Sequence, residues 1–204
     1  MTASLVNHRQ SLRNEASLRG GPLPLGHAPA ARPLPLRLVP QPEGLLQIHT
    51  APFRGSFAAV FSQALRTAGL GSRVLVSQFL KGGVDQGVAG SLWLCGRLQW
   101  VRPATPRCLE GPAAAQPVVA GDDPLAAVQE LWAFSRDQML AGGVDLLVLD
   151  ELGLAIELGY LPANEVTATL EQRPAHLDVI LTGPAMPADL MAMADQVTQL
   201  RRGF

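Results

Sequence analysis

A chain of 204 residues, 48% apolar and 16% charged with a formal net charge of -1, has the composition of one soluble globular domain and is long enough to bury a full core. A membrane-spanning protein is excluded, since no run approaches the roughly 18 consecutive apolar residues that a spanning helix needs. Cys95 and Cys108 lie apart with no His or Cys beside them, which argues against a zinc cluster or a disulfide framework and for a reducing cytoplasm. Of the 16 basic residues, Lys81 is the only lysine, so no mechanism can draw on a lysine elsewhere.

Residues 1–42 form a segment of their own. They hold five arginines against one acid and seven of the 17 prolines, whereas the remainder is acidic on balance. Prolines at this spacing prevent a helix or a central strand between 22 and 42. The segment reads as a disordered basic tail, dispensable for folding. A weak helix over 4–19, a transit peptide or a nucleic-acid arm are the alternatives. With no continuous apolar core, it is not read as a secretory signal.

From 43 onward short apolar runs alternate with helical periods, which is the pattern of an α/β domain over 43–204. A strand at 45–49 leads through a loop into a helix at 56–68, with Phe57, Val60, Phe61, Ala64, Leu65 and Ala68 at three- and four-residue spacing, closed by Gly69 and Gly71. Strands follow at 73–79 and 98–102. Residues 103–122 contain four prolines and no period, too long for a routine connection, and read as either a functional or a degenerate loop. Asp123 and Pro124 are an N-cap and first-turn pair opening a helix to about 141. The almost wholly apolar strand 144–149 ends in Asp150 and Glu151, at the edge that faces the ligand crevice in such sheets. Helical text at 152–158 and 162–172, a strand at 179–182, a helix at 187–194 and a last strand at 197–200 complete the series. The order predicts a mostly parallel sheet of five or six strands with helices on both faces.

Strand, loop, helix and a later strand ending in two acids make the scaffold of a P-loop nucleotide-binding protein, the acids placed to hold Mg²⁺. Of the phosphate loop itself only Gly55 survives. Where G-x-x-x-x-G-K-[ST] is required, the chain reads Thr50, Ala51, Pro52, Phe53, Arg54, Gly55, Ser56, Phe57. Ser56 stands in the lysine position and Phe57 in that of the metal-binding hydroxyl. Pro52 removes an N–H donor, while Ala51 and Phe53 replace glycines free to take positive φ.

Several segments carry a family resemblance: AlaLeuArgThrAlaGlyLeuGly at 64–71, ValLeuValSerGlnPheLeuLysGly at 74–82, AspLeuLeuValLeuAspGluLeu at 145–152, TyrLeuPro at 160–162, ArgPro at 173–174 and ValIleLeuThrGly at 179–183, followed by Ala194, Asp195 and Val197. Over 44–200 the chain resembles the P-loop ATP:cob(I)alamin (corrinoid) adenosyltransferase family, which transfers the adenosyl group of ATP to reduced cobalt and releases triphosphate. The resemblance implies a P-loop NTPase-like fold, ATP with Mg²⁺ and a corrinoid as ligands, and a phosphate loop like T-G-N-G-K-G-K-T-T. The departures cluster on chemistry. Besides the loop, an aromatic Gly-Phe-Thr-Trp-like corrinoid segment is not found in 103–122, Pro184 replaces the family's Arg, and its His- and Gly-containing C-terminal extension is not found.

The candidate site is therefore a degenerate phosphate-loop region, Thr50, Arg54, Gly55, Ser56 and Arg66, with Asp150 and Glu151 as metal ligands only if Mg-nucleotide still binds. No catalytic residue is named. Asp150 or Glu151 alternatively caps the next helix, Arg66 alternatively makes a structural ion pair, and Lys81 is either ligand-facing or solvated. His49 reads as structural, and Trp93, Trp100 and Trp132 as core or partial core. The expected function is a corrinoid adenosyltransferase-like protein impaired in catalysis, with nucleotide and corrinoid bound weakly or not at all. The alternative is a non-catalytic scaffold or sensor acting through ligand or protein binding. A homodimer is left open, and nucleic acid and membrane are not expected partners.

Overall fold

Apolar residues at period two in the strands and at period 3.6 in the helices bury the chain into three layers. The computed structural model describes residues 43–55, 57–83 and 87–201; the basic tail read over 1–42, and Ser56, lie outside them. The elements are β1 (Leu46–Thr50), α1 (Ala58–Gly69), β2 (Val74–Gln78), β3 (Leu92–Leu94), β4 (Leu98–Val101), α2 (Pro124–Leu140), β5 (Leu146–Asp150), α3 (Leu152–Glu157), α4 (Ala163–Glu171), β6 (Asp178–Gly183), α5 (Ala188–Met193) and β7 (Gln196–Gln199). No helix among the described residues is long and apolar enough to cross a membrane.

The strands form one sheet in the order β3-β4-β2-β5-β6-β1-β7, parallel throughout except for the β3–β4 pair. Its centre, β2 and β5, is buried at every position, as expected for strands covered on both faces. Alternation divides the core in two. Leu75, Leu147, Leu149, Val179 and Leu181 face α2 to α5, while Val74, Val76, Leu146, Val148 and Ile180 face Val60, Ala64 and Ala68 of α1. The helix expected after Asp123 is capped as read: its carboxylate accepts from the amides of Leu125 and Ala126, each at 3.1 Å.

The sheet has seven strands where five or six were expected, because β3 was missed. Leu94 accepts the amide of Arg97 at 3.2 Å, and the two residues between them, Cys95 and Gly96, have φ of 44° and 68°, the requirement of a tight type I′ hairpin turn. The hairpin also overturns the core reading of Trp93, which is 58% exposed on this edge strand. Trp132 is buried as expected, and Trp100 is half-buried, stacked on Phe61 with ring centroids 5.1 Å apart.

Residues 103–122 are packed rather than degenerate. Leu109 and Thr105 are fully buried. The Leu109 amide donates to Leu80 at 2.9 Å and that of Ala113 to Leu158 at 2.8 Å. The Tyr160 hydroxyl donates to the Gly111 carbonyl at 3.2 Å, and Arg107 bridges the Pro117 carbonyl and Asp122 at 3.2 and 2.7 Å. Few side chains carry this docking, which explains why no hydrophobic period marks it.

Phe57, at the position where the phosphate-loop pattern has a hydroxyl, is 2% exposed in the core beneath α1. Phe57→Ala is expected to cost about 3–5 kcal/mol of stability, the range for large-to-small core substitutions. Urea denaturation measures it, and a loss under about 1 kcal/mol would show that the aromatic ring is not an anchor of α1.

Candidate functional site

The period of two that sorts the core also builds a polar row. At one level of the sheet Gln78 of β2, Asp150 of β5, Thr182 of β6, His49 of β1 and Thr198 of β7 are successive register partners. They lie on the α1 face, where the strands reach their carboxyl ends. A row of polar groups here must satisfy itself, because the side chains of Asp150, Gln78 and Thr182 are withdrawn from water.

Asp150 is saturated by its neighbours. One carboxylate oxygen accepts from the Thr182 hydroxyl at 2.6 Å; the other accepts from the Gln78 amide at 2.8 Å and from the Lys81 ammonium at 3.2 Å. Gln78 passes the order outward, its carbonyl oxygen accepting from the Trp100 indole at 2.8 Å and from Arg102 Nε at 3.1 Å. Lys81 is therefore neither free in solvent nor directed to a ligand alone; it is the counter-ion of Asp150.

Glu151, 1% exposed, receives a two-pronged guanidinium from Arg54, Nε at 2.7 Å and an Nη at 2.6 Å. The fork matches the planar carboxylate, which makes this the strongest kind of side-chain ion pair. The hydrogen bond to Glu151 is the main cause that raises the Arg54 guanidinium above its ordinary value. A third Arg54 bond, 3.1 Å to the Leu109 carbonyl, ties the loop after β1 to the segment 103–122. Glu151 precedes α3 with φ of 62° and makes no side-chain cap, so the capping alternative is not realised for it. Its backbone amide instead donates to the Thr182 carbonyl at 2.8 Å.

Arg54, Gly55, Lys81, Gly82, Arg102, Cys108, Glu110 and Glu151 line an open cleft of about 350 Å³ at these carboxyl ends. The segment 103–122 forms one wall and presses close: a Cβ on Gly82 would lie 2.2 Å from the Arg107 carbonyl oxygen. The paired charges cancel locally, leaving the cleft polar but without a large surplus of either sign.

Of the residues singled out from sequence, Arg54, Gly55 and Glu151 meet in this cleft, with Asp150 behind Lys81. Thr50 ends β1, half-buried, opposite Gly183 and Gln199. Arg66 is not brought to the cleft. It lies exposed in the last turn of α1, and its side chain has no partner among the described residues, so the ion-pair alternative is not realised either. His49 is half-buried, its Nε2 has no partner among the described residues, and burial lowers its basicity. Among the described residues no three His, Cys, Asp or Glu side chains gather to hold a metal. Sequence reasoning missed Arg102, Cys108 and Glu110; position at a strand's carboxyl end pointed to Arg102, but nothing in the aperiodic 103–122 text marked the other two.

Comparison with known proteins gives consistent matches. Residues 42–203 match the family model described as ATP:corrinoid adenosyltransferase BtuR/CobO/CobP. The corrinoid adenosyltransferase CobA of Salmonella typhimurium (strain LT2) is 31% identical over 158 residues, covering 78% of this chain and 76% of that protein. The corrinoid adenosyltransferase of Escherichia coli (strain K12) is 28% identical over 166 residues with the same coverage. That of Pseudomonas aeruginosa is 26% identical over 157 residues, 77% of this chain and 74% of the relative.

The Arg54–Glu151 pair generates a stability test. Arg54→Met strands a buried carboxylate and is expected to cost toward the lower end of about 3–5 kcal/mol, because Arg54 is itself 31% exposed. The double variant Arg54→Met/Glu151→Leu removes the orphaned charge and is expected to regain most of that loss in urea denaturation. A double variant no more stable than Arg54→Met would show that the two side chains are not energetically coupled.

Proposed function

Because the chain belongs to the ATP:corrinoid adenosyltransferase family, we propose that it is a member impaired in adenosyl transfer, whose crevice no longer takes Mg-ATP in the family's manner. The observation that carries this reading is the Arg54–Glu151 ion pair. A carboxylate at the end of the strand after a phosphate loop serves by holding a metal directly or through water, and here a guanidinium within the same chain already neutralises it.

The surrounding donors support the same reading. Phe57 is turned into the core, Ala51 is buried, and Pro52 offers no N–H. The residues present do not fit a magnesium triphosphate, which needs a nest of backbone amides, a lysine and a hydroxyl. Lys81 does not replace the missing lysine, since it is held on Asp150. Each lost charge-assisted contact is worth about 1.5–3 kcal/mol, or roughly ten- to a hundredfold in affinity. Asp150 and Glu151 thus act as structural acids that order the crevice, and they become metal ligands only if a nucleotide first displaces their cations.

A second reading, a sensor or scaffold acting through ligand or protein binding in the cytoplasm, is favoured by one feature. The cleft remains open between Arg54, Arg102, Cys108 and Glu110, so loss of the phosphate loop has not filled the crevice. A corrinoid or a nucleotide held without magnesium are the candidate ligands on this reading.

Incubating the purified protein with ATP, Mg²⁺ and chemically reduced cobalamin, and following the cobalamin absorption spectrum, tests the proposal. No adenosylcobalamin beyond the protein-free control is expected. Multiple-turnover formation at an ordinary enzymatic rate, about 1 per second or faster, would overturn it and would make Arg54 the substitute cation.

A further inference from the structure

At the opposite end of the sheet from the crevice, where β2 and β5 begin and α2 ends, a cavity of about 310 Å³ is walled by Trp93, Arg97, Gln99, Gln138, Arg73 and Val144 among others. We propose that it is a ligand site for a planar aromatic or heteroaromatic molecule carrying one anionic group.

Three observations converge on that chemistry. Trp93 stands in register opposite Gln99 and is 58% exposed, so a large aromatic face is offered to the cavity's mouth instead of to the core, and an indole is the side chain best able to stack a flat ring. Arg97 supplies the charge. Its guanidinium and the Gln138 amide have no partner among the described residues, whereas Arg73 is already committed to Asp145 at 3.1 Å and to the Gly142 carbonyl at 3.3 Å. A free guanidinium beside a stacking surface selects an anionic group attached to a ring, and one such cation calls for one such group. Finally, the geometry is fixed by the hairpin. The Cys95-Gly96 turn, with positive φ at both residues and closed by the Arg97 amide on the Leu94 carbonyl, sets Arg97 beside the strand that carries Trp93. The volume sits at the small end of the roughly 300–1,000 Å³ typical of ligand pockets, which suits a molecule of two fused rings or a mononucleotide.

The three tryptophans provide separate reporters. Trp93 lines this cavity, Trp100 donates its indole N–H to Gln78 in the crevice, and Trp132 donates to Glu165 at 2.9 Å away from both. The ¹⁵N-labelled protein, with the Trp93 indole resonance assigned by Trp93→Phe, is titrated with 2-naphthoate and separately with AMP. A saturable shift of the Trp93 resonance with either probe is expected at or below about 1 mM, with Trp100 and Trp132 unmoved and the affinity falling at least tenfold in Arg97→Gln. A response to only one probe supports the site and names its anion as carboxylate or phosphate. The proposal is overturned if Trp93 does not move with either probe, if Arg97→Gln leaves the affinity unchanged, or if only Trp100 responds, which would place the ligand in the crevice. Because the readout is independent of adenosyl transfer and of Mg-ATP, this outcome does not depend on the proposed loss of activity.

Discussion

Two adjacent carboxylates, Asp150 and Glu151, are buried at the end of the central strand β5, and the organisation of the crevice follows from the need to compensate them. Taking an ionised carboxylate out of water costs several kcal/mol even after relaxation, and only well-placed cations and hydrogen bonds offset it. The two acids diverge and are satisfied from different directions. Asp150 is held within the sheet by Thr182 and Gln78 and from the loop after β2 by Lys81; Glu151 is held by Arg54 from the loop after β1. Two loops distant in sequence are thereby fixed around one strand end.

The same compensation links the crevice to the segment 103–122. Arg54 divides its donors between Glu151 and the Leu109 carbonyl, and Leu109 itself is buried and bonded to Leu80. A change at Arg54 is therefore felt on two sides: it exposes a charge imbalance at Glu151 and loosens one wall of the cleft. In a site that held a metal, the ion's own charge would set the local electrostatics. Here the chain supplies that charge itself through Arg54 and Lys81, and the proposal of a member turned away from magnesium-dependent chemistry rests on it.

Much of the architecture was legible because burial imposes simple periods. The run 144–149 with its terminal acids, the Asp123-Pro124 helix start and the α1 stripe through Val60, Ala64 and Ala68 each follow from a local rule, and the structure realises them. The edge hairpin escaped because its strand is three residues long and its turn uses Cys95, an uncommon residue at positive φ, in place of the usual Asn or Asp before Gly. The sequence was read as placing Ser56 and Phe57 at the lysine and hydroxyl positions of a phosphate loop, and the motif segments identified the family. It did not show that Arg54 reaches across 97 positions to Glu151, nor that Lys81 is bound to Asp150. Long-range ion pairs leave no periodic trace, and only the folded register brings their partners together.

Calorimetric titration with Mg-ATP of the native protein, beside a variant in which residues 51–57 are replaced by the family's glycine-rich loop with Lys at 56 and Thr at 57, tests the central claim most directly. Internal neutralisation of the crevice predicts no saturable heat for the native chain up to about 1 mM, and recovered binding in the loop variant, where Arg54 no longer covers Glu151. Saturable Mg-ATP binding by the native chain below that concentration would contradict it, because it would require the nucleotide to displace a bidentate ion pair on a buried carboxylate without the phosphate loop's lysine and hydroxyl.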